Sequence, residues 1–137
     1  MVTNMSNANP YQKYQEQSIN TMTPVERIVL LFDKAVLNMT AAITYIENKD
    51  PCQAHNRIVK AEDIVLYLRE ILNMKYPISK ILFDYYTYIH KQLVMANINK
   101  DKELLELIIG MMDEVKSAWS EVETLSRENS SSQGKAV

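Results

Sequence analysis

Apolar side chains recur along most of this chain at steps of three and four, which puts them on one side of a helix rather than on alternate faces of a strand. From Ile28 the stripe runs through Leu31, Phe32, Ala35, Met39, Ala42, Ile43 and Ile46, with Arg27, Lys34, Asn38 and Glu47 largely off it. Ala54, Ile58, Ala61, Val65, Leu68 and Leu72 repeat the pattern in a second segment. A later segment carries Leu104, Ile108, Met111, Val115, Ala118, Val122 and Leu125 at alternating steps of four and three, the seam of helices packed nearly parallel or antiparallel. Between them, the stretch from Pro77 to Ile98 is apolar on several sides.

Prolines and small polar residues mark where these helices begin. Thr23-Pro24-Val25-Glu26 is a capping box, in which a hydroxyl accepts an orphan backbone N–H and proline occupies a position that needs no donor. Asp50-Pro51-Cys52-Gln53 repeats the arrangement. Tyr76 precedes Pro77 and is pushed out of helical angles, so the second helix is expected to end near Lys75 and the third to start at Pro77. Asn99-Lys100-Asp101 offers a cap for the fourth. The predicted helices therefore run from Pro24 to about Asn48, Pro51 to about Lys75, Pro77 to about Ile98, and from Asp101 to about Arg127. Long helices with short connections give an all-α, antiparallel four-helix bundle over residues 23–127. An N-terminal arm or cap helix over residues 1–22 and a disordered tail over residues 128–137, which holds Ser130-Ser131-Ser132-Gln133-Gly134, complete the expected organisation.

Two of these helices are more apolar than one core-facing stripe requires. The fourth adds Leu105, Ile109, Met112 and Trp119 beside its seam, and the third holds Ile81, Leu82, Phe83, Tyr85, Tyr86, Tyr88, Ile89, Leu93, Val94 and Met95. Soluble monomers rarely leave such surface bare, so a partner helix, another subunit or the chain's own arm should cover it. In that arm Tyr11 and Tyr14 stand three residues apart in polar surroundings, with Ile19 and Met22 following. Such a pair can dock reversibly on apolar surface with its hydroxyls wet, or simply cap the end of the bundle. Most of the eight methionines read as core, and Met95 and Met112 best suit a groove.

Composition narrows the function. A chain of 137 residues is one domain's length. With 15 Lys plus Arg against 17 Asp plus Glu it has no overall positive field, so nucleic acid is not an expected partner. A single cysteine, Cys52, forms no internal disulfide and suits a reducing, cytoplasmic setting. The polar stretch from Met1 to Asn20 is no signal peptide, and no later apolar run is read as approaching the ~18 residues of a membrane span, so insertion is not expected.

Catalytic chemistry finds little support. His55 and His90 are the only histidines, no Glu-x-x-His pair is present, and two glycines cannot build a phosphate loop, so neither a metal nor another cofactor is expected. Cys52 lies in a first helical turn with His55 three residues on, which would favour a thiolate. No third orienting group accompanies it, and the residue reads as a small side chain at a helix start.

The order of several short motifs resembles the flagellar secretion chaperones specific for flagellin. Asn9-Pro10-Tyr11-Gln12-Lys13-Tyr14, followed by Ser18 to Pro24, is similar to that family's N-terminal signature. Leu30 to Ala35, Lys60 to Ile64, Tyr86 to Ile98, and Gly110 with Ala118-Trp119 are similar to its four helices in turn. Thr87 stands where the family usually has Asp, and Lys91-Gln92 where it has an Arg pair, so salt bridges made there in relatives are not carried over. The resemblance implies a non-catalytic cytoplasmic chaperone that binds the C-terminal segment of flagellin, prevents its polymerisation and delivers it to the membrane export gate. It implies that the client folds on the apolar grooves, that the arm can occupy part of that surface, and that Tyr11 and Tyr14 are the positions suited to gate docking. The surplus rows then nominate Ile89, Leu93 and Met95 with Leu105, Ile109 and Met112 as one client groove. A self-associating bundle, with the same surplus as a homodimer interface, is the alternative.

Overall fold

The computed structural model of the chain describes the backbone of residues 21–136, and the side chains of residues 21–125 and of Glu128. Tyr11, Tyr14 and the rest of the expected arm before Thr21 lie outside the described residues. Four helices follow one another: α1 (Pro24–Glu47), α2 (Pro51–Glu70), α3 (Pro77–Asn99) and α4 (Lys102–Ala136). Each packs against its neighbour in sequence, and α4 returns beside α1. Cross-helix contacts fix the directions. Lys102 reaches Glu47 at 3.6 Å, Lys116 reaches Asp33 at 2.6 Å and Thr23 donates to Glu123 at 3.1 Å, so α1 and α4 are antiparallel. His55 with Asn97 and Arg69 with Thr87 give the same sense to α2 and α3. The bundle is therefore the up-down-up-down arrangement that short connections favour.

The predicted caps are in place. Glu26 N donates to Thr23 Oγ1 at 3.1 Å, Gln53 N to Asp50 Oδ1 at 3.2 Å, and Leu104 N to Asp101 Oδ1 at 3.1 Å. The α1–α2 and α3–α4 connections are built alike from the same tripeptide, Asn48-Lys49-Asp50 and Asn99-Lys100-Asp101. In each the lysine takes a left-handed backbone (φ 58° at Lys49, 49° at Lys100), and the aspartate N–H bonds back five residues, to Tyr45 O and Ala96 O. This is the helix-ending motif usually served by glycine. Both turns lie at one end of the bundle.

Two helix ends differ from expectation. α2 stops at Glu70, not near Lys75, because Asn73 draws the backbone into a turn: its side chain accepts from Lys75 N at 3.1 Å and its carbonyl accepts from Ser79 Oγ at 2.6 Å. α4 continues to Ala136, through residues expected to be a tail. No proline interrupts it, and extending an existing helix costs far less than starting one. α1 also corrects the sequence reading in one respect. Its most apolar 18-residue window has mean hydropathy 1.4, long and apolar enough to cross a membrane by length and composition alone, because its only interior charges, Asp33 and Lys34, are adjacent. Phe32, Ala35, Met39 and Ala42 of this helix are nonetheless fully enclosed by the other three.

The core comprises these four with Ala54, Ile58, Ala61, Val65 and Leu68 of α2, Tyr86, Ile89, Leu93 and Ala96 of α3, and Leu105, Ile108 and Met112 of α4. The register set by the Arg57 to Asn38 hydrogen bond brings Ala42 about level with Ala54, and Ala35 with Ala61. Small side chains let α1 and α2 approach closely. Where α3 meets α4 beyond Met112, bulky Tyr86 and Trp119 stand between the helices instead, and their shared seam is the shortest of the four.

Candidate functional site

At the end of the bundle opposite the twin lysine turns, the four helices do not close. α2 has stopped, the α2–α3 connection swings wide, and the later part of α4 runs past the first turns of α1 and α3. The opening is a groove of ≈ 540 Å³ with walls from all four helices: Val25 and Ile28 of α1, Leu68 of α2, Ile78, Leu82 and Tyr86 of α3, and Val115, Ala118, Trp119 and Val122 of α4. Ile71, Leu72 and Tyr76 of the α2–α3 connection form its rim. Apart from Asn73, Ser79 and the Tyr and Trp heteroatoms, the lining is hydrocarbon. Ile78 and Val122 remain more than half exposed at 57 % and 51 %, an arrangement that exposes apolar surface water would rather not cover.

A shallower groove adjoins it on the outside of α3 and α4, between Ile81, Tyr85 and Tyr88 and the Glu114, Val115 and Ala118 face. Leu82, Val115 and Ala118 belong to both, so the apolar surface is continuous across the α3–α4 gap. A helix laid there would meet apolar residues at three- and four-residue steps on both flanks.

The residues nominated from sequence fall elsewhere. Ile89, Leu93, Leu105 and Met112 have no exposed surface and form the core, and none of them is on the wall of this groove. Ile109 is half-buried against that core, and Met95 alone is well exposed, at 44 %, away from the groove. The reason is rotational. On α4, the steps 104-108-111-115 and 105-108-112 are both helical seams, and the structure turns the second inward while Leu104, Met111 and Val115 sit half-buried beside it. On α3 the inward row is Tyr86, Ile89 and Leu93, and the surplus row is Ile78, Ile81, Tyr85 and Tyr88. Missed entirely were Ile71, Leu72 and Tyr76, whose signal was Asn73: an early end to α2 frees the residues after it from the core.

Polar chemistry lies along the α2–α3 seam. Asn97, buried, has its side-chain N 2.9 Å from His55 Nδ1, and Lys100 Nζ donates to the Asn97 carbonyl at 2.6 Å and to its Oδ1 at 2.9 Å. Glu62 faces the same line, and burial raises its carboxyl above the usual range against the opposing pull of His90. Arg69 lies 4.9 Å over the Phe83 ring and donates to Thr87 Oγ1 at 3.1 Å. Cys52 is exposed at the start of α2, with His55 engaged by Asn97. Among the described residues no three His, Cys, Asp or Glu side chains are grouped to hold a metal.

Fold and groove together define a class: a small antiparallel helical bundle with an open apolar cleft at one end. The family model described as "Flagellar protein FliS" matches residues 7–126, and the chain belongs to that family. Its relatives include the flagellar secretion chaperone FliS of Bacillus subtilis, 32 % identical over 85 % of this chain and 88 % of that one. The flagellar secretion chaperones FliS of Vibrio cholerae and Salmonella typhimurium are 26 % and 24 % identical, over 81 % and 78 % of this chain and 86 % and 82 % of their own.

Proposed function

We infer that this protein is a chaperone of flagellar secretion that acts in the cytoplasm without catalysis. Its client is the C-terminal segment of flagellin, which it keeps from polymerising and delivers to the membrane export gate. The observation that carries the reading is the groove, an apolar cleft with walls from four helices at the open end of the bundle. A chain end that folds on binding loses conformational entropy, and burying many apolar side chains at once offsets that loss. Wide, continuous grooves serve that need better than a deep pocket.

The arm enters the same reading. Pro24 and Val25, the first residues of α1, lie on the groove wall. From there the arm can cover apolar surface while the client is absent, and Tyr11 and Tyr14 can reach the gate when the client displaces it.

Calorimetric titration with a peptide of the last ~40 residues of the same organism's flagellin tests the assignment, with the chain's mass fixed by light scattering. One-to-one binding with a large negative heat-capacity change is expected. No binding by a folded monomer would sink it. A tight dimer that ignores the peptide would instead assign the exposed α3 row of Ile78, Ile81 and Tyr88 to self-association.

A further inference from the structure

Three residues with hydroxyls line the groove: Tyr76 is 60 % exposed, Ser79 donates to the Asn73 carbonyl, and Tyr86 stands deepest in the wall. Tyr86 is 1 % exposed, and Phe32 packs against its ring from the core side with centroids 6.1 Å apart and planes at 58°. At the far end of the ring, on the groove wall, Trp119 Nε1–H donates to the phenol oxygen at 3.0 Å. An indole nitrogen only donates, so this bond occupies a lone pair of the oxygen and leaves the phenolic proton to find an acceptor of its own. No described residue accepts it. Burial holds the phenol protonated, above the usual tyrosine range, so the group is a donor throughout the physiological span.

We propose that Tyr86 is the groove's recognition hydroxyl: its O–H donates to a hydrogen-bond acceptor on the bound client helix, and Trp119 holds the oxygen so that the proton faces the cleft. The inference rests on the client-binding reading above. Its physical sense is register. Apolar rows at three- and four-residue steps give a bound helix affinity but let it slide by a turn or a heptad with little change in burial. A buried donor does not tolerate that slide, because in every wrong register it loses its acceptor and stays desolvated. The acceptor is a Ser, Thr, Asn or Gln side chain of the flagellin segment.

The test compares the full chain with its Tyr86→Phe variant, which keeps the ring against Phe32 and removes only the hydroxyl. The variant also takes away the acceptor of Trp119 Nε1–H, so the unfolding midpoint is expected to fall, by up to about four degrees. Affinity for the ~40-residue flagellin peptide is expected to fall about tenfold, the worth of one hydrogen bond in a dry site. Peptides with single Ser, Thr, Asn or Gln to Ala changes, titrated against both chains, then locate the acceptor. One change that weakens binding to the parent chain and leaves binding to Tyr86→Phe untouched identifies a side chain and sustains the proposal. A tenfold loss in Tyr86→Phe with no such change is what the loss of Trp119's acceptor alone would produce, and would overturn the proposal. Equal affinity of the two chains for the parent peptide would overturn it, as would a midpoint drop beyond about five degrees, which would make the hydroxyl structural. A peptide that binds neither chain fails the client reading itself, and this inference with it.

Discussion

The two ends of this bundle are made from the same kinds of helix and do opposite things. At one end, two copies of Asn-Lys-Asp stop a helix, reverse the chain and cap the next helix within three residues, so the core is sealed up to the turns. At the other, Asn73 ends α2 early, six residues separate α2 from α3, and α4 overshoots. The apolar residues that a tight turn would have enclosed line a groove instead. Openness here is a property of the connections and not of the helices' hydrophobicity. A bundle can thus keep a rigid body and a binding cleft in one small domain.

That contrast is sharpest at a residue that could have belonged to either end's chemistry. Leu105 begins the sealed half of α4 and has no exposed surface, although its place beside the expected seam nominated it for a groove. Leu105→Ala is expected to cost about 2–5 kcal/mol in denaturant unfolding, as a buried leucine does. A loss of binding without loss of stability would instead put Leu105 at a cleft. Val122→Asp, at the open end, should behave in the reverse way. Stability should stay within about 0.5 kcal/mol because the side chain is half exposed, while affinity for the flagellin peptide should fall about tenfold or more through an unpaired carboxylate in an apolar wall. Equal affinity would remove the α4 wall from the site.

Smaller effects test the sealed end. Asp101→Ala removes the side chain that accepts Leu104 N–H and is expected to cost about 1 kcal/mol. Lys49→Gly should act with the opposite sign. Lys49 holds φ 58° at a position that favours glycine, and relief of that conformation should stabilise by up to about 1 kcal/mol. A destabilised Lys49→Gly would mean that the lysine side chain does more for the turn than its backbone costs.

Much of the sealed end was legible in the sequence, because each of its devices is local. A Thr or Asp before a helix, a Pro at its first turn and a four-three apolar rhythm act within a few residues, and Thr23, Asp50 and Asp101 cap where their types predict. The open end was legible only as a surplus. That α3 and α4 carry more apolar surface than one core needs is a statement about composition, and on α3 it survives in the exposed Ile81, Phe83, Tyr88 and Met95. Which row turns inward is decided by fit against three other helices. Rotating α4 by one residue exchanges Leu104 and Met111 for Leu105 and Met112 without altering its periodicity. No local signal separates the two, so the predicted groove residues were largely the core's.

The smallest expected effect lies midway between the ends, on the α2–α3 seam, and it depends on pH. Glu62 Oε2 is buried without a hydrogen-bond partner among the described residues. Burial is the main cause that raises its carboxyl above the ordinary value, with neighbouring Asp63 adding to the rise and His90, His55 and Asn97 opposing it. A folded state that holds this proton more tightly than the unfolded chain gains stability from it below the ordinary carboxylate pKa. That gain is lost as pH rises through the raised folded value. Glu62→Gln keeps the shape and removes the titration. Its midpoint should match the parent's near pH 4, where Glu62 is protonated in the fold, and exceed it by about two degrees at pH 7. The advantage should appear as pH rises through the raised carboxyl value. Equal midpoints of the two chains at pH 7 would mean that the Glu62 carboxylate is hydrated in the fold, and the middle of the bundle would then be held by packing with no pH-dependent term from this side chain.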